Sequence, residues 1–299
     1  MQTPHLHVDG FLPAAEAEAL RGDFDRHFAE PDRHTAEQHQ IWNYWHVPPI
    51  YTYLRTSPQK VIADDRIKHF HARLSAWARE TLGMSRVTWP NLSLYIDGCL
   101  QGLHNDSVNG RFGYVFSLTR DVRRTTGGET IVLREGDLFR ANLSNSAAGV
   151  DLYDLIAPRF NRLAIFDDRM PHGVQRVEGS MDPVEGRVVL HGHIAEGGAF
   201  AKGALPPAEV VAQLGGPVTR AMEGLGQGYH GPLVLRVSIA ADGKVRETRV
   251  LVNRMAHAEN RPADELVARI MGAVNETVFN LAEGDTEATI PFTFGRKTR

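Results

Sequence analysis

"LHNDSVNGRFGYVFSLTRD", residues 103–121, places His104 and Asp106 two apart at the mouth of an apolar run. On an extended strand, residues i and i+2 point to the same side. The pair therefore offers an imidazole nitrogen and a carboxylate to one point in space. Two donors do not make a metal site, so a third has to come from elsewhere in the chain. "LAIFDDRMPHGVQRVEG" (163–179) supplies His172, just past an apolar run that ends at Phe166. Two imidazoles and one carboxylate can occupy one face of an octahedral Fe(II) and leave three positions open. The same donors suit zinc, whose catalytic sites also keep an open position. "GRVVLHGHI" then begins with Arg187. A guanidinium at the head of a strand beside the metal can take a carboxylate through its planar fork. A dicarboxylate chelating the metal at one end needs such a group at the other.

The rest of the chain is ordinary in composition. Of its 299 residues, 42% are hydrophobic and 23% charged, which predicts a soluble globular chain of one large or two smaller domains. The formal net charge of −3 argues against bulk nucleic-acid binding. Cys99 is the one cysteine. It excludes an intramolecular disulfide and a Cys-based zinc cluster, fits a reducing, cytoplasmic setting, and reads as a small buried residue near the site. The first twenty residues lack a basic start and long apolar core, so no signal peptide is expected. No run nears the roughly 18 apolar residues of a membrane span.

Helix signals dominate early. Residues 12–28 carry Pro13 near a first turn and acidic residues behind it, and 64–83 place Ile67, Phe70, Leu74, Trp77 and Ala78 at helical spacing before Gly83. From residue 87 the period shortens. "VTWPNLSLYID" alternates, with Asn91, Ser93 and Tyr95 on one face, and further strands are expected at 113–119, 129–134, 162–167 and 187–194. Helices followed by several short strands predict a mainly β sandwich or barrel with helices outside it.

The ordered set resembles the Fe(II)/2-oxoglutarate-dependent oxygenases, most closely their prolyl 4-hydroxylase-like branch. Tyr95, Gly98 and Leu100 lead into His104-Asn105-Asp106; Arg111, Phe116 to Leu118 and Gly127-Gly128-Glu129-Thr130 follow; Phe166-Asp167 leads to His172-Gly173-Val174, and Arg187 opens the last core strand. "HVDGFLPAAEAEAL" near the start resembles the lead-in of these proteins, a short strand and then a helix. The resemblance implies a double-stranded β-helix, a jelly-roll variant. It implies that His104, Asp106 and His172 bind Fe(II) and that Arg187 binds the distal carboxylate of 2-oxoglutarate. With O₂ the cosubstrate becomes succinate and CO₂ while a C–H is hydroxylated, ascorbate being a candidate reductant. The hydroxyl residue that many members carry two after the arginine is here Val189. A second donor to the carboxylate must come from elsewhere, with Tyr95 and Tyr114 as candidates.

Other residues carry two readings. His191 and His193 share Arg187's strand face by parity and either reach the site or simply pack. Arg111 either binds a substrate carboxylate or is a loop cation, and Asn91 is a further candidate for substrate contact. "IWNYWHVPPIYTYL" (41–54) is either a core segment or a flap over the substrate.

The expected division is an oxygenase domain at 1–200, a linker with a short helix at 201–230, and a small ββαβ domain at 231–299. The last carries an Ala241-Asp242-Gly243 turn, an amphipathic helix with Leu266, Ile270, Val274 and Val278 on one stripe, and a closing "TEATIPFTF" strand. Residues 205–295 resemble the TonB C-terminal family. The sequence shows no membrane anchor or Pro-rich stalk of the kind true TonB proteins carry, so what would carry over is an exposed sheet edge that can take a peptide strand or pair with a second copy. The leading expectation is a dioxygenase hydroxylating a peptide or protein side chain. The alternatives are a hydroxylase of a free amino acid or other small metabolite, a metal-keeping jelly roll without turnover whose C-terminal module does the recognition, and a zinc hydrolase, which has no use for Arg187.

Overall fold

The structure is a computed structural model that describes residues 1–29, 41–47, 50–120, 124–134, 152–225, 227–259 and 261–294. It divides into two compact units: residues 4–74 with 87–194, and residues 1–3 with 75–86 and 195–299.

In chain order the elements running through the first unit are β1 (His5–Asp9), α1 (Ala14–Ala29), β2 (Asn43–Val47), β3 (Tyr51–Thr56), α2 (Asp64–Thr81), β4 (Arg86–Val87), β5 (Asn91–Tyr95), β6 (Leu100–His104), β7 (Phe112–Ser117), β8 (Thr130–Leu133), β9 (Tyr153–Ile156), β10 (Arg162–Asp167), β11 (His172–Val174) and β12 (Arg187–Ala195). The strands join one antiparallel sheet in the order β1-β10-β7-β12-β5-β3-β6-β11-β8-β9, with β2 on β3 and β4 on β12. The sheet is folded on itself. Val132 of β8 and Ile156 of β9 pack with Ala164 and Phe166 of β10, far away in strand order. Val174 of β11 packs with Tyr95 of β5 and Val189 of β12. Two antiparallel layers therefore face each other, with β3 bridging them through β5 and β6. This is a mainly β jelly roll with flanking helices, as expected.

The period of two sorts side chains between its faces. On β12, Arg187, Val189, His191 and His193 line an interior cavity, while Val188, Leu190 and Ile194 are fully buried among the other face's apolar residues. Helical residues cover that other face: Phe70 of α2 meets Phe116 of β7 at 4.9 Å between ring centroids. Arg21 of α1 is buried and ties the helix down by donating to the carbonyls of Leu118 (2.9 Å) and Val184 (2.5 Å).

The second unit adds β13 (Phe200–Gly203), α3 (Pro207–Met222), β14 (Tyr229–Ile239), β15 (Val245–Asn253), β16 (Ala256–His257), α4 (Asp264–Glu276) and β17 (Thr286–Phe294). Its antiparallel sheet runs β13-β17-β14-β15, and both helices bury their apolar stripes on it: Val210, Leu214 and Val218 from α3, Leu266, Ile270 and Val274 from α4. The stretch 201–230, read as a linker with a short helix, holds most of β13 and the 16-residue α3, which share in a core. The expected stripe also stops early. Helix α4 ends at Glu276, Thr277 turns extended, and Val278 is exposed while Phe279 is buried in its place. The hairpin turn falls where the Asp-Gly pair put it, with Gly243 at φ +81° and its N–H on the Ala240 carbonyl (2.9 Å).

Candidate functional site

The jelly roll holds a cavity of about 470 Å³. Strand pairing brings the first donors together: β6 and β11 are antiparallel neighbours with His104 opposite His172 in register. The rings lie 4.5 Å apart between centroids. Asp106 lies two residues past the end of β6, off the strand on which it was expected, and its N–H donates to the Asp168 carbonyl (2.9 Å), which fixes the turn. Its Oδ2 lies 3.7 Å from Nε2 of His104 and 3.6 Å from Nε2 of His172. One ligand atom from each of the three residues falls within 4.8 Å of the others.

The imidazoles are oriented for metal binding. Nδ1 of His104 lies 2.8 Å from the Gly102 carbonyl and Nδ1 of His172 lies 2.9 Å from the Met170 carbonyl. A carbonyl can only accept, so Nδ1 carries a hydrogen and Nε2 is the ring atom that faces Asp106. The two imidazoles that face it hold the Asp106 carboxyl well below the usual carboxylate range, against the opposing effect of burial. Burial works against protonation of His104, but Asp106 and the Gly102 carbonyl outweigh it and raise its pKa. A divalent cation would replace those protons on the same atoms, so the donor set fits a metal.

Arg187 sits deeper in the cavity, buried, opposite Tyr95 in the β12–β5 register. Burial lowers its pKa, with Tyr95 and Glu129 acting to raise it. Its Nη2 donates to Thr130 Oγ1 (3.1 Å), its guanidinium lies 4.7 Å from the Tyr95 ring centroid, and its Nε has no hydrogen-bond partner. Among the described residues no carboxylate forms an ion pair with it. A buried guanidinium left without a counter-ion is costly, and its planar fork can take a carboxylate. The turn before β8 presses against it: Gly128, at φ +79°, would put a Cβ 3.1 Å from Arg187 Cδ.

The structure sorts the remaining candidates. Tyr95 stacks under Arg187 and donates from its hydroxyl to Gln101 Oε1 (3.2 Å). Tyr114 reaches the cavity's edge, but its hydroxyl donates to the Thr88 carbonyl (3.0 Å) rather than to the Arg187 pocket. The hydroxyl beside Arg187 is Thr130's, from the Gly-Gly-Glu-Thr turn, a residue the sequence did not single out as a donor. Asn91 and His191 line the cavity, whereas Arg111 is not among its lining residues and braces it through its main chain, its N–H on the Ile194 carbonyl (2.8 Å). His191 pairs with Ser93 Oγ (2.8 Å). Burial, reinforced by Arg55, Arg187 and His193, lowers its pKa to about 3, so it is a neutral group in the wall. His193 is held by Asp168 (3.0 Å), and its Nε2 lies 3.9 Å from Asp106 Oδ2. Cys99 is buried in the cluster that contains Tyr53 and Tyr95.

The aromatic segment serves both of its readings. Tyr53 is buried and stacks on Tyr95 at 5.2 Å, and half-exposed Trp45 stacks on Tyr53 at 6.2 Å. Tyr51 sets its ring edge-on to His104 at 5.5 Å. The β2–β3 hairpin therefore supplies both core and rim of the cavity. Residues 48 and 49 of that segment lie outside the described residues.

No protein-family model matches the chain, and no curated protein does. Solved structures that align with it include a prolyl hydroxylase from Trichoplax adhaerens in complex with a hypoxia inducible factor oxygen degradation domain peptide fragment, at 13% identity and TM-score 0.46, over 63% of this chain and 82% of that one. A Pseudomonas putida prolyl-4-hydroxylase aligns at 18% identity and TM-score 0.44, over 66% and 94%. The non-heme alpha ketoglutarate dependent epimerase SnoN from nogalamycin biosynthesis aligns at 15% identity and TM-score 0.44, over 64% and 76%. At these identities the chemistry is left to be argued from this chain's own side chains.

Proposed function

We propose that this chain is an Fe(II)- and 2-oxoglutarate-dependent dioxygenase that hydroxylates an unactivated C–H, with a peptide or protein side chain as the substrate. One observation carries the reading. Two imidazoles and a carboxylate converge in the same cavity as a buried guanidinium that forms no ion pair among the described residues. A zinc hydrolase has a use for the first three groups and none for the fourth. His104, Asp106 and His172 would hold the metal, and Arg187, Thr130 and the Tyr95 face would hold the distal carboxylate of the cosubstrate. When bound, iron and 2-oxoglutarate would supply O₂ activation, with O₂ as the oxidant and 2-oxoglutarate giving two of the four electrons as it becomes succinate and CO₂.

The protein's own residues bind, orient and shield. The carbonyls of Gly102 and Met170 fix the ring orientations, and the aromatic column from Trp45 through Tyr53 to Tyr95 keeps water from the Arg187 end. In the second unit, β15 is an edge strand that, among the described residues, pairs with β14 alone within the sheet and bonds Met1 through Leu251 and Asn253. Its Val245–Val250 stretch offers main-chain groups to an added strand, which supports peptide docking or pairing of two copies there.

The test is succinate release from 2-oxoglutarate and O₂ by the iron-loaded protein, alone and with a pool of cellular peptides. Peptide-stimulated succinate with a +16 Da product is the expected result (one oxygen atom, about 16 Da). Succinate that no peptide stimulates would keep the oxygenase and refute the peptide substrate. No succinate with iron bound would leave a silent binding protein.

A further inference from the structure

Besides the histidines, three lining residues of the cavity carry charge: Asp106, Arg187 and Arg55. The proposed function uses two of them, and the role of the third rests on that function. A divalent metal on Asp106, the Arg187 guanidinium and the dianion of 2-oxoglutarate sum to zero. Arg55 is left over, a positive charge in a cavity whose other charges are neutralised.

Its setting is specific. Arg55 is half-buried on β3, opposite Ser93 on β5, one step along the inner face from the Tyr53–Tyr95 row. Its guanidinium lies 5.5 Å from the Trp45 ring centroid, and its charge acts on the Tyr53 hydroxyl. Among the described residues it forms no ion pair with a carboxylate. Arg187 is 3% exposed, while Arg55 is covered by Trp45, itself 43% exposed. The first cation therefore belongs to the floor and the second to the rim. A guanidinium held flat by an aromatic face keeps its fork free for a planar anion. Its field is felt inside the cavity, where it helps to keep His191 neutral. Asn91 adds an amide to the same wall.

We propose that Arg55 is a specificity determinant that binds a carboxylate on the primary substrate, while Arg187 binds the cosubstrate. The carboxylate belongs either to a small molecule such as a free amino acid or to an acidic residue of a peptide.

The test is ligand-observed NMR with full-length protein loaded with Mn(II) and 2-oxoglutarate, which stays turnover-silent without iron. The first probe set is free amino acids against their primary amides. The second is capped tripeptides Ac-Ala-Glu-Ala-NH₂ and Ac-Ala-Asp-Ala-NH₂ against their Gln and Asn counterparts. Wild type should bind the acid of a pair and not the amide, the set that responds naming the source. Arg55→Gln should weaken that binding by about tenfold or more, as losing a charged hydrogen-bonding partner does, with 2-oxoglutarate affinity unchanged. Arg55→Lys, which keeps the charge and packing stem, should fall between and guards against a merely misfolded Gln variant. Arg187→Gln should do the reverse, losing 2-oxoglutarate.

Equal binding of acids and amides, no acid-dependent binding at all, or acid binding unaltered in both Arg55 variants would overturn the proposal. Loss of 2-oxoglutarate in Arg55→Gln but not in Arg187→Gln would instead refute the cosubstrate assignment beneath it.

Discussion

His191 gives the account a quantitative handle that needs neither metal nor substrate. Its pKa is lowered to about 3 by burial first, then by Arg55, Arg187 and His193, against about 6.5 in an unfolded chain. Above pH 6.5 the ring is neutral in both states and costs nothing. As the pH falls below 6.5 the unfolded chain takes up a proton that the folded chain refuses, so stability drops until the folded pKa is reached. Each pH unit in that window is worth about 1.4 kcal/mol, so at pH 5.0 the loss amounts to about 2 kcal/mol. His104 and His193, whose pKa values are raised, act in the opposite direction and obscure the effect in wild type alone. His191→Gln keeps a partner for Ser93 Oγ and removes the titration. Urea unfolding of both metal-free proteins at pH 7.5 and 5.0, followed by tryptophan fluorescence, isolates the contribution, the difference between variant and wild type being read on a signal to which three of the four tryptophans, Trp42, Trp45 and Trp89, contribute from the first unit. Relative to wild type, the variant should gain about 2 kcal/mol on acidification, or roughly 1 M in urea midpoint. A stability gap that stays constant between the two pH values would refute the neutral, enclosed His191 and with it the cationic cavity wall.

Three further substitutions probe separate parts of the structure. Gly128→Ala forces an L side chain into φ +79° and against Arg187 Cδ at 3.1 Å; thermal unfolding should show a loss of about 2–3 kcal/mol, with a raised KM for 2-oxoglutarate. Arg187→Ala should raise that KM by well over tenfold while iron affinity, measured by equilibrium dialysis, changes little; an unchanged KM would move the carboxylate anchor to another residue. Gly243→Ala would put a Cβ 2.0 Å from the Phe279 carbonyl at φ +81°, and should destabilise the second unit by about 3 kcal/mol without altering metal binding by the first.

How much was legible in the sequence depended on how local the signal was. Period two aligned Arg187, Val189, His191 and His193 along one face, because that rests on strand geometry alone; Asp106 instead lies two residues past the end of β6, brought to His104 by a turn whose N–H bonds the Asp168 carbonyl and not by strand parity. The hydroxyl partner of Arg187 was not legible. Thr130 lies on β8, in the layer that faces β12, and no pattern within either strand reports on what stands across a sandwich. Arg55 was missed for a related reason: β3 inserts between β5 and β6, so a residue from an upstream hairpin enters the wall of a cavity made by later strands. Tyr114 shares β7 with inward-facing Val115 but belongs to the opposite parity, which directs its hydroxyl to Thr88. A short helix was expected within 201–230, but the full length of α3 was hidden by Gly215, Gly216 and Pro217, whose helix-breaking tendency is overridden by the burial of Val210, Leu214 and Val218.

The most direct test of the central claim is equilibrium dialysis of Fe(II) under anaerobic conditions, with 2-oxoglutarate binding measured in parallel by calorimetry. Wild type should bind one Fe(II) per chain and bind 2-oxoglutarate only when the metal is present. His172→Ala should lose both, and Arg187→Ala should lose the second alone. Iron retained by His172→Ala, or 2-oxoglutarate bound equally well without metal, would contradict the assignment of His104, Asp106 and His172 as the centre of an oxygenase.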